Sequence, residues 1–246
     1  MSGHSKWSTI KRQKGANDAK RGQAFTKLSM AITLAVKEGG GIADPASNFK
    51  LRLAIDAAKT ANMPKDTIDR AVARASGKDA SEMSEVVYEG FGPGGFSVIA
   101  EAITDNKQRT TPEIKSTFDK NGGTLGVVGS VSYQFEKKGQ IVVKKGSMSF
   151  DEIFLVGVEA GADDVEDSVE GDEIVIYTSS DMVGSVRDAL TNQGLDIVSA
   201  ELIMKPIVNK VIEGDTEAEK AVSFLEKLEE HPDVQRVFAN IEIKEK

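Results

Sequence analysis

At Tyr88 the spacing of apolar residues changes from three and four to two, and that change divides what the chain can fold into. Before it, Phe25, Leu28, Ile32 and Val36 share one helical face that stops at Gly39-Gly40-Gly41. Asp44-Pro45 reads as an N-cap followed by proline at the first helical position, opening a helix with Phe49, Leu53, Ala57 and Ala61 on one side. Met63-Pro64 opens a third helix carrying Ile68, Ala71, Val72 and Ala75, closed by Gly77. Such small, alanine-rich faces suit a close-packed bundle. The polar stretch from Lys78 to Glu85 reads as a linker.

Beyond Tyr88, the residues Phe96, Val98, Ala100 and Ala102 alternate with Ser97, Ile99, Glu101 and Ile103, the pattern of a half-buried strand. Thr110-x-x-Glu113 with Pro112 predicts a helix through Ile114 and Phe118, stopped by Asn121-Gly122-Gly123. Val131, Tyr133 and Phe135 alternate again, completing a β-α-β unit. From Ile141 a fuller series follows. A strand leads to a helix capped by Ser149-x-x-Glu152, then two strands around Val165 and Ile174–Tyr177. A helix with Val183, Val186 and Leu190 and a strand from Leu195 close it. That order is β-α-β-β-α-β, the ferredoxin-like arrangement. A strand at Ile207–Ile212, a helix over Thr216–Glu230 and a strand over Val234–Ile243 make a last β-α-β.

The economical fold is α+β, an N-terminal helical bundle followed by two ferredoxin-like domains, one inserted in the other. Residues 1–81 form the helical domain, 82–136 and 206–246 the split domain, and 137–205 the insert, which is tolerated because the termini of such folds lie close together. A chain of 246 residues has room for all three.

Charge separates these regions sharply. The first 37 residues hold eight Lys or Arg and one acid, a net +7, while the remainder holds 23 bases and 38 acids, a net −15. Asymmetry of that size points to a polyanionic partner for the basic end. Lys6, Lys11, Arg12, Lys14, Lys20, Arg21 and Lys27 are the candidate phosphate contacts, and Trp7, the only tryptophan, offers a face for base stacking. The bland alternatives are a solvated basic terminus and a tryptophan that anchors it through Trp7 and Ile10. Between Ser147 and Val186 stand eleven acids and no Lys or Arg, a surface that repels a phosphate backbone.

Other chemistry finds little footing. Without cysteine there is no disulfide, thiol nucleophile or thiolate metal site, in keeping with a reducing cytosol, so the chain is expected in the cytoplasm. No apolar run approaches the ~18–20 residues of a membrane span. Gly90-Phe91-Gly92-Pro93-Gly94-Gly95 satisfies GxGxxG in form, but that fingerprint needs a helix directly after it and Phe96–Ile103 reads as a strand. Two histidines, His4 and His231, leave a Ser/His/Asp arrangement without a promising base. No catalytic residue, metal or cofactor is expected. The loop residues Phe91, Gly92, Pro93, Gly94 and Gly95 suit contact with a partner instead. Lys107 and Arg109, at the start of a helix, offer either an anion contact or nothing beyond the helix cap.

Several strings are specific. Gly3-His4-Ser5-Lys6-Trp7, Asp18-Ala19-Lys20-Arg21-Gly22, Phe25-Thr26-Lys27-Leu28, Met63-Pro64-Lys65-Asp66, Tyr88 to Gly95, Thr104-Asp105-Asn106 and Gly129-Ser130-Val131 resemble the YebC/PmpR family over essentially the whole chain. The resemblance implies a helical N-terminal domain, two α/β domains and a non-enzymatic role in gene expression. It also implies two kinds of partner. Bacterial members are described as DNA-binding transcriptional regulators, whereas a mitochondrial relative and some bacterial members act on translation at the ribosome. The chain is therefore expected to bind DNA, or else rRNA as a ribosome-associated factor, with no membrane and no small-molecule substrate. Against a duplex reader stands the lack of a helix-turn-helix with a base-reading cluster.

Overall fold

A computed structural model describes residues 18–75, 83–167 and 172–244. The protein is α+β. Contacts divide it into two units, Glu136–Lys205 and the described residues up to Phe135 together with those from Pro206.

The second of these begins with three helices, α1 (Asp18–Glu38), α2 (Phe49–Thr60) and α3 (Lys65–Arg74). Ile32, Val36, Leu51, Ala58, Met63, Ile68 and Ala71 form their core, with Phe25 and Leu28 packed against it. Asp44-Pro45 does not start α2. Asp44 heads a turn, accepting from the Ala46 nitrogen at 3.0 Å and the Ser47 hydroxyl at 3.1 Å, and Asn48 is the cap, accepting from the Leu51 nitrogen. The Asn48 amide also donates to the carbonyls of Ala35 at 2.9 Å and Ile42 at 3.0 Å. This fixes the rotation of α2, so the buried residues are Leu51 and Ala58, not the expected row of Phe49, Leu53, Ala57 and Ala61.

Four strands follow in one sheet, in the order β3-β1-β2-β9: β1 (Ser84–Phe91), β2 (Ser97–Thr104), β3 (Thr124–Leu125) and β9 (Val234–Ala239). All neighbouring pairs are antiparallel. Helices α4 (Lys107–Lys120) and α7 (Asp215–Glu229) supply Ile114, Phe118, Phe224, Leu225 and Leu228 to the core on one face. The strand expected to be half-buried is buried on both faces, because β2 is central and α1 packs against it. Its Glu101 pairs across the sheet with Arg236 at 2.7 Å.

The expected strand over Val131–Phe135 is a 3-10 turn, Ser132–Gln134, and the strand β4 (Phe135–Lys144) starts only at its end. The expected single strand over Val234–Ile243 is also two. It breaks at Asn240, and β10 (Ile241–Lys244) leaves the sheet to pair in parallel with β8 (Lys210–Glu213). The buried Asn240 holds that break. Its side-chain oxygen accepts from the Ser97 nitrogen at 2.7 Å, and its amide donates to Gln134 Oε1 at 3.0 Å and to the Val208 carbonyl at 3.3 Å.

In the other unit, β4, α5 (Phe150–Ala160), β5 (Asp164–Asp167), β6 (Glu173–Ser179), α6 (Val183–Asn192) and β7 (Ile197–Pro206) run β-α-β-β-α-β, with sheet order β5-β6-β4-β7. Ser149 and Glu152 form the capping box at the start of α5, and Gly161 ends it at φ 98°. On one face of the sheet Val142, Val175 and Tyr177 cluster with Val198 and Ile203, and the Lys205 ammonium lies 3.6 Å from the centre of the Tyr177 ring. A ring so buried and so occupied offers no base-stacking platform.

Candidate functional site

The strings Tyr88 to Gly95 and Gly129 to Val131 lie together, on β1 and on the loop after β3. The glycine-rich string is the β1–β2 hairpin connection, closed by the Gly92 nitrogen donating to the Phe96 carbonyl at 2.8 Å and the Gly95 nitrogen to that of Gly92 at 2.8 Å. Beneath it are three phenyl rings. A side chain begun at Gly90 would stand 2.6 Å from the Phe118 ring, one at Gly92 2.1 Å from Phe96, and one at Gly123 2.6 Å from Phe224. The rings meet edge to face, Phe96 with Phe224 at 5.9 Å and Phe118 with Phe224 at 5.2 Å, the favoured geometry for aromatic pairs. The glycines at 90 and 92 therefore admit aromatic rings, and since a strand follows, no helix N-terminus faces the loop to hold a pyrophosphate. Gly94 and Gly95 turn the chain at φ 81° and 78°, Phe91 is exposed beside them, and Lys210 Nζ donates to the Gly94 carbonyl at 2.5 Å.

Glu89 joins the two strings. Its side chain is buried, and it accepts from the backbone nitrogens of Gly129 at 2.8 Å, Val131 at 2.8 Å and Ser132 at 2.9 Å. Burial alone would raise its carboxyl pKa, but these three N–H groups and the Ser132 hydroxyl outweigh it and hold the group below the usual carboxylate value. Glu89 is thus a fixed anion that shapes a loop, poorly suited to proton transfer. That loop presents Val127 and Val128 at 78% and 88% exposure.

At the start of α4, Asn106 accepts from the Arg109 nitrogen at 3.1 Å and is the cap in place of the expected Thr110-x-x-Glu113 box. Thr110 is buried and donates to Asp233 Oδ2 at 2.6 Å. Arg109 also reaches Asp233, at 2.8 Å, and Asp105 at 3.2 Å. Burial would raise the Asp233 pKa, and Thr110 with Arg109 reverses this and holds it low. Arg109 is therefore a structural partner of a buried carboxylate, while Lys107 is exposed. His231 lies nearby with Nε2 3.1 Å from Glu113, and its Nδ1 accepts from the Asp233 nitrogen, which leaves it in a structural contact.

Lys6, Trp7, Lys11, Arg12 and Lys14 lie outside the described residues. Lys20 and Arg21 stand in the first turn of α1. Lys27 is half-buried and its ammonium donates to the Glu229 carbonyl at the end of α7, tying α1 to α7. It does not stand out as a solvated cation.

Family models cover nearly all of this. The TACO1/YebC N-terminal domain matches residues 5–78, and the TACO1/YebC second and third domain matches residues 83–241. The chain belongs to the TACO1/YebC family. It is 48% identical over 244 residues to a protein of Syntrophotalea carbinolica named "Probable transcriptional regulatory protein", with 99% of this chain and 96% of that one covered. A protein of the same name from Chloroflexus aurantiacus is 46% identical over 247 residues, again covering 99% and 96%. A crystal structure of a conserved hypothetical protein from Aquifex aeolicus superposes with a TM-score of 0.83 at 40% identity, over 93% of each chain.

Within this YebC-family chain, Glu89, Asp233 and Asn240 are the residues that sequence patterning does not flag. Their side-chain partners are 32 or more residues away, and periodicity carries no signal for a buried polar contact. Among the described residues no three His, Cys, Asp or Glu side chains are grouped to hold a metal, and no helix is long and apolar enough to cross a membrane.

Proposed function

We propose that this chain is a non-enzymatic regulator of gene expression that binds nucleic acid through its basic N-terminal domain, residues 1–81, as a DNA-binding transcriptional regulator. The observation that carries this is the charge division, +7 over the first 37 residues against −15 over the rest, in a chain whose relatives are named transcriptional regulatory proteins. Ammonium and guanidinium groups release condensed counterions from a phosphate backbone, and the acidic insert, residues 137–205, leaves that contact to the basic end. Phe91 and the Gly92–Gly95 turn offer a second surface to a protein or nucleic-acid partner, and Lys107, beyond the far end of β2, is a separate candidate anion contact.

A second reading, an rRNA-binding translation factor, is favoured by α3. Its polar face interleaves Lys65, Arg70 and Arg74 with Asp66 and Asp69, a poor recognition helix for a DNA groove. Both readings place the contact in the same cations. Replacing Lys11, Arg12 and Lys14 with alanine is expected to weaken binding across sequences and to flatten the salt dependence, by roughly 0.7–0.9 in slope for each phosphate no longer neutralised. Unchanged affinity and slope would refute both. Sequencing nucleic acid crosslinked to the protein in cells separates them: discrete promoter DNA for the regulator, abundant rRNA for the translation factor.

A further inference from the structure

We propose that the outer face of α5 is the docking site for a basic amphipathic segment of another protein, an interaction separate from nucleic-acid binding. The helix turns Ile153 and Gly157 inward, so close that a side chain begun at Gly157 would stand 3.0 Å from Val165. Its other side leaves Phe154, Leu155 and Val158 exposed, Leu155 at 62%. These are contiguous at three- and four-residue steps along the helix. Phe150 extends the ridge, its ring 6.2 Å from that of Phe154, and exposed Met182 borders the helix end near Gly161. Contiguous exposed apolar surface with a polar rim is the mark of an interaction site.

The rim selects the occupant. Asp151, Glu152 and Glu159 on α5 and Asp181 beside Met182 are all exposed, and no Lys or Arg lies between Ser147 and Val186. Of the cations flanking that stretch, Lys144 and Arg187 are paired with Asp196 at 2.9 Å and Asp188 at 2.7 Å, and Lys145 is half-buried ahead of the α5 cap. Nucleic acid and anionic lipid are repelled by such a rim. A second copy seated isologously would set the same acids against each other. A segment with apolar anchors flanked by Lys and Arg satisfies both the ridge and the rim, as amphipathic helices do in grooves.

The test uses the full chain and two synthetic peptides of one Leu/Lys/Arg composition, one ordered as an amphipathic helix and one scrambled. Fluorescence anisotropy is expected to show the ordered peptide binding about tenfold tighter than the scrambled one. Leu155→Ala with Val158→Ala, both exposed, should keep the melting temperature and weaken that affinity about tenfold. Asp151→Asn with Glu159→Gln should weaken binding and its salt dependence. Equal affinity for both peptides, no binding, or indifference to the apolar substitutions overturns the proposal. In cells, a photo-crosslinking benzoylphenylalanine in place of Leu155 should mark a Lys/Arg-rich protein segment. Crosslinks to a second copy of this chain, to nucleic acid, or to nothing would overturn it equally.

Discussion

The carboxylate of Glu89 lies 2.8 Å from the backbone nitrogen of Val131, across a sequence separation of 42 residues. That hydrogen bond makes one structural unit of the β1 string and the Gly129–Val131 string, and it has consequences for stability. A carboxylate that accepts several N–H groups is worth more than a neutral acceptor, because charge-assisted hydrogen bonds are the stronger kind.

Glu89→Gln is expected to destabilise the protein by about 2–3 kcal/mol at neutral pH, measured by urea unfolding, since an amide loses the charge and turns a donor toward backbone donors. The pH dependence has a definite sign. The folded-state pKa lies below the unfolded value, so the contribution is complete above the ordinary carboxylate range and is lost as pH falls below about 4.3. Glu89→Gln should therefore flatten part of the acid limb of the stability curve. An acid limb identical to wild type would contradict this.

The hairpin glycines should separate by mechanism. Gly92→Ala drives a methyl into the Phe96 ring, with 2.1 Å available, and overpacking of that kind costs about 3 kcal/mol or more. Gly94→Ala meets nothing within 4 Å and bears only the strain of φ 81°, about 1–2 kcal/mol. Chemical denaturation should order the two variants accordingly, and calorimetry with ATP, GTP, NAD or S-adenosylmethionine should show no micromolar binding to either or to wild type.

Arg109→Ala is expected to act on folding. It strips the ion pair from Asp233, whose side chain is 8% exposed, and leaving a buried charge unpaired costs about 3 kcal/mol. The melting temperature should drop while nucleic-acid affinity per folded molecule stays unchanged. A selective loss of affinity at intact stability would make Arg109 an anion contact after all.

Asn240→Ala removes the acceptor for Ser97 and the donor to Gln134 and Val208 at the point where the chain changes sheets. The expected cost is about 2–4 kcal/mol, given buried groups left unpaired. Hydrogen exchange should quicken most at the Ser97 amide and in the β8–β10 pair.

Helix faces were legible where one apolar row had no rival. Ile32 and Val36 in α1, Ile68 and Ala71 in α3, and Val183, Val186 and Leu190 in α6 are all buried as their spacing requires. In α2 two rows compete, and Asn48, anchored to the Ala35 and Ile42 carbonyls, decided between them. Val131, Tyr133 and Phe135 alternate as a strand would, yet the Val131 and Ser132 nitrogens bond Glu89 in place of a neighbouring strand.

By itself, then, the amino-acid order determined the helix caps at Ser149 and Gly161, the apolar periods, and the segregation of cations at one end and acids at the other. These are local or additive properties, set by neighbours within one turn or by a sum of charges. Only the tertiary structure decided that Gly90, Gly92 and Gly123 make room for Phe118, Phe96 and Phe224, and that Arg109 belongs to Asp233. It also decided that one run of alternating residues splits at Asn240 between two sheets. Each of those outcomes depends on which distant groups must be desolvated together, and a buried polar or aromatic contact exists only once the chain has closed around it.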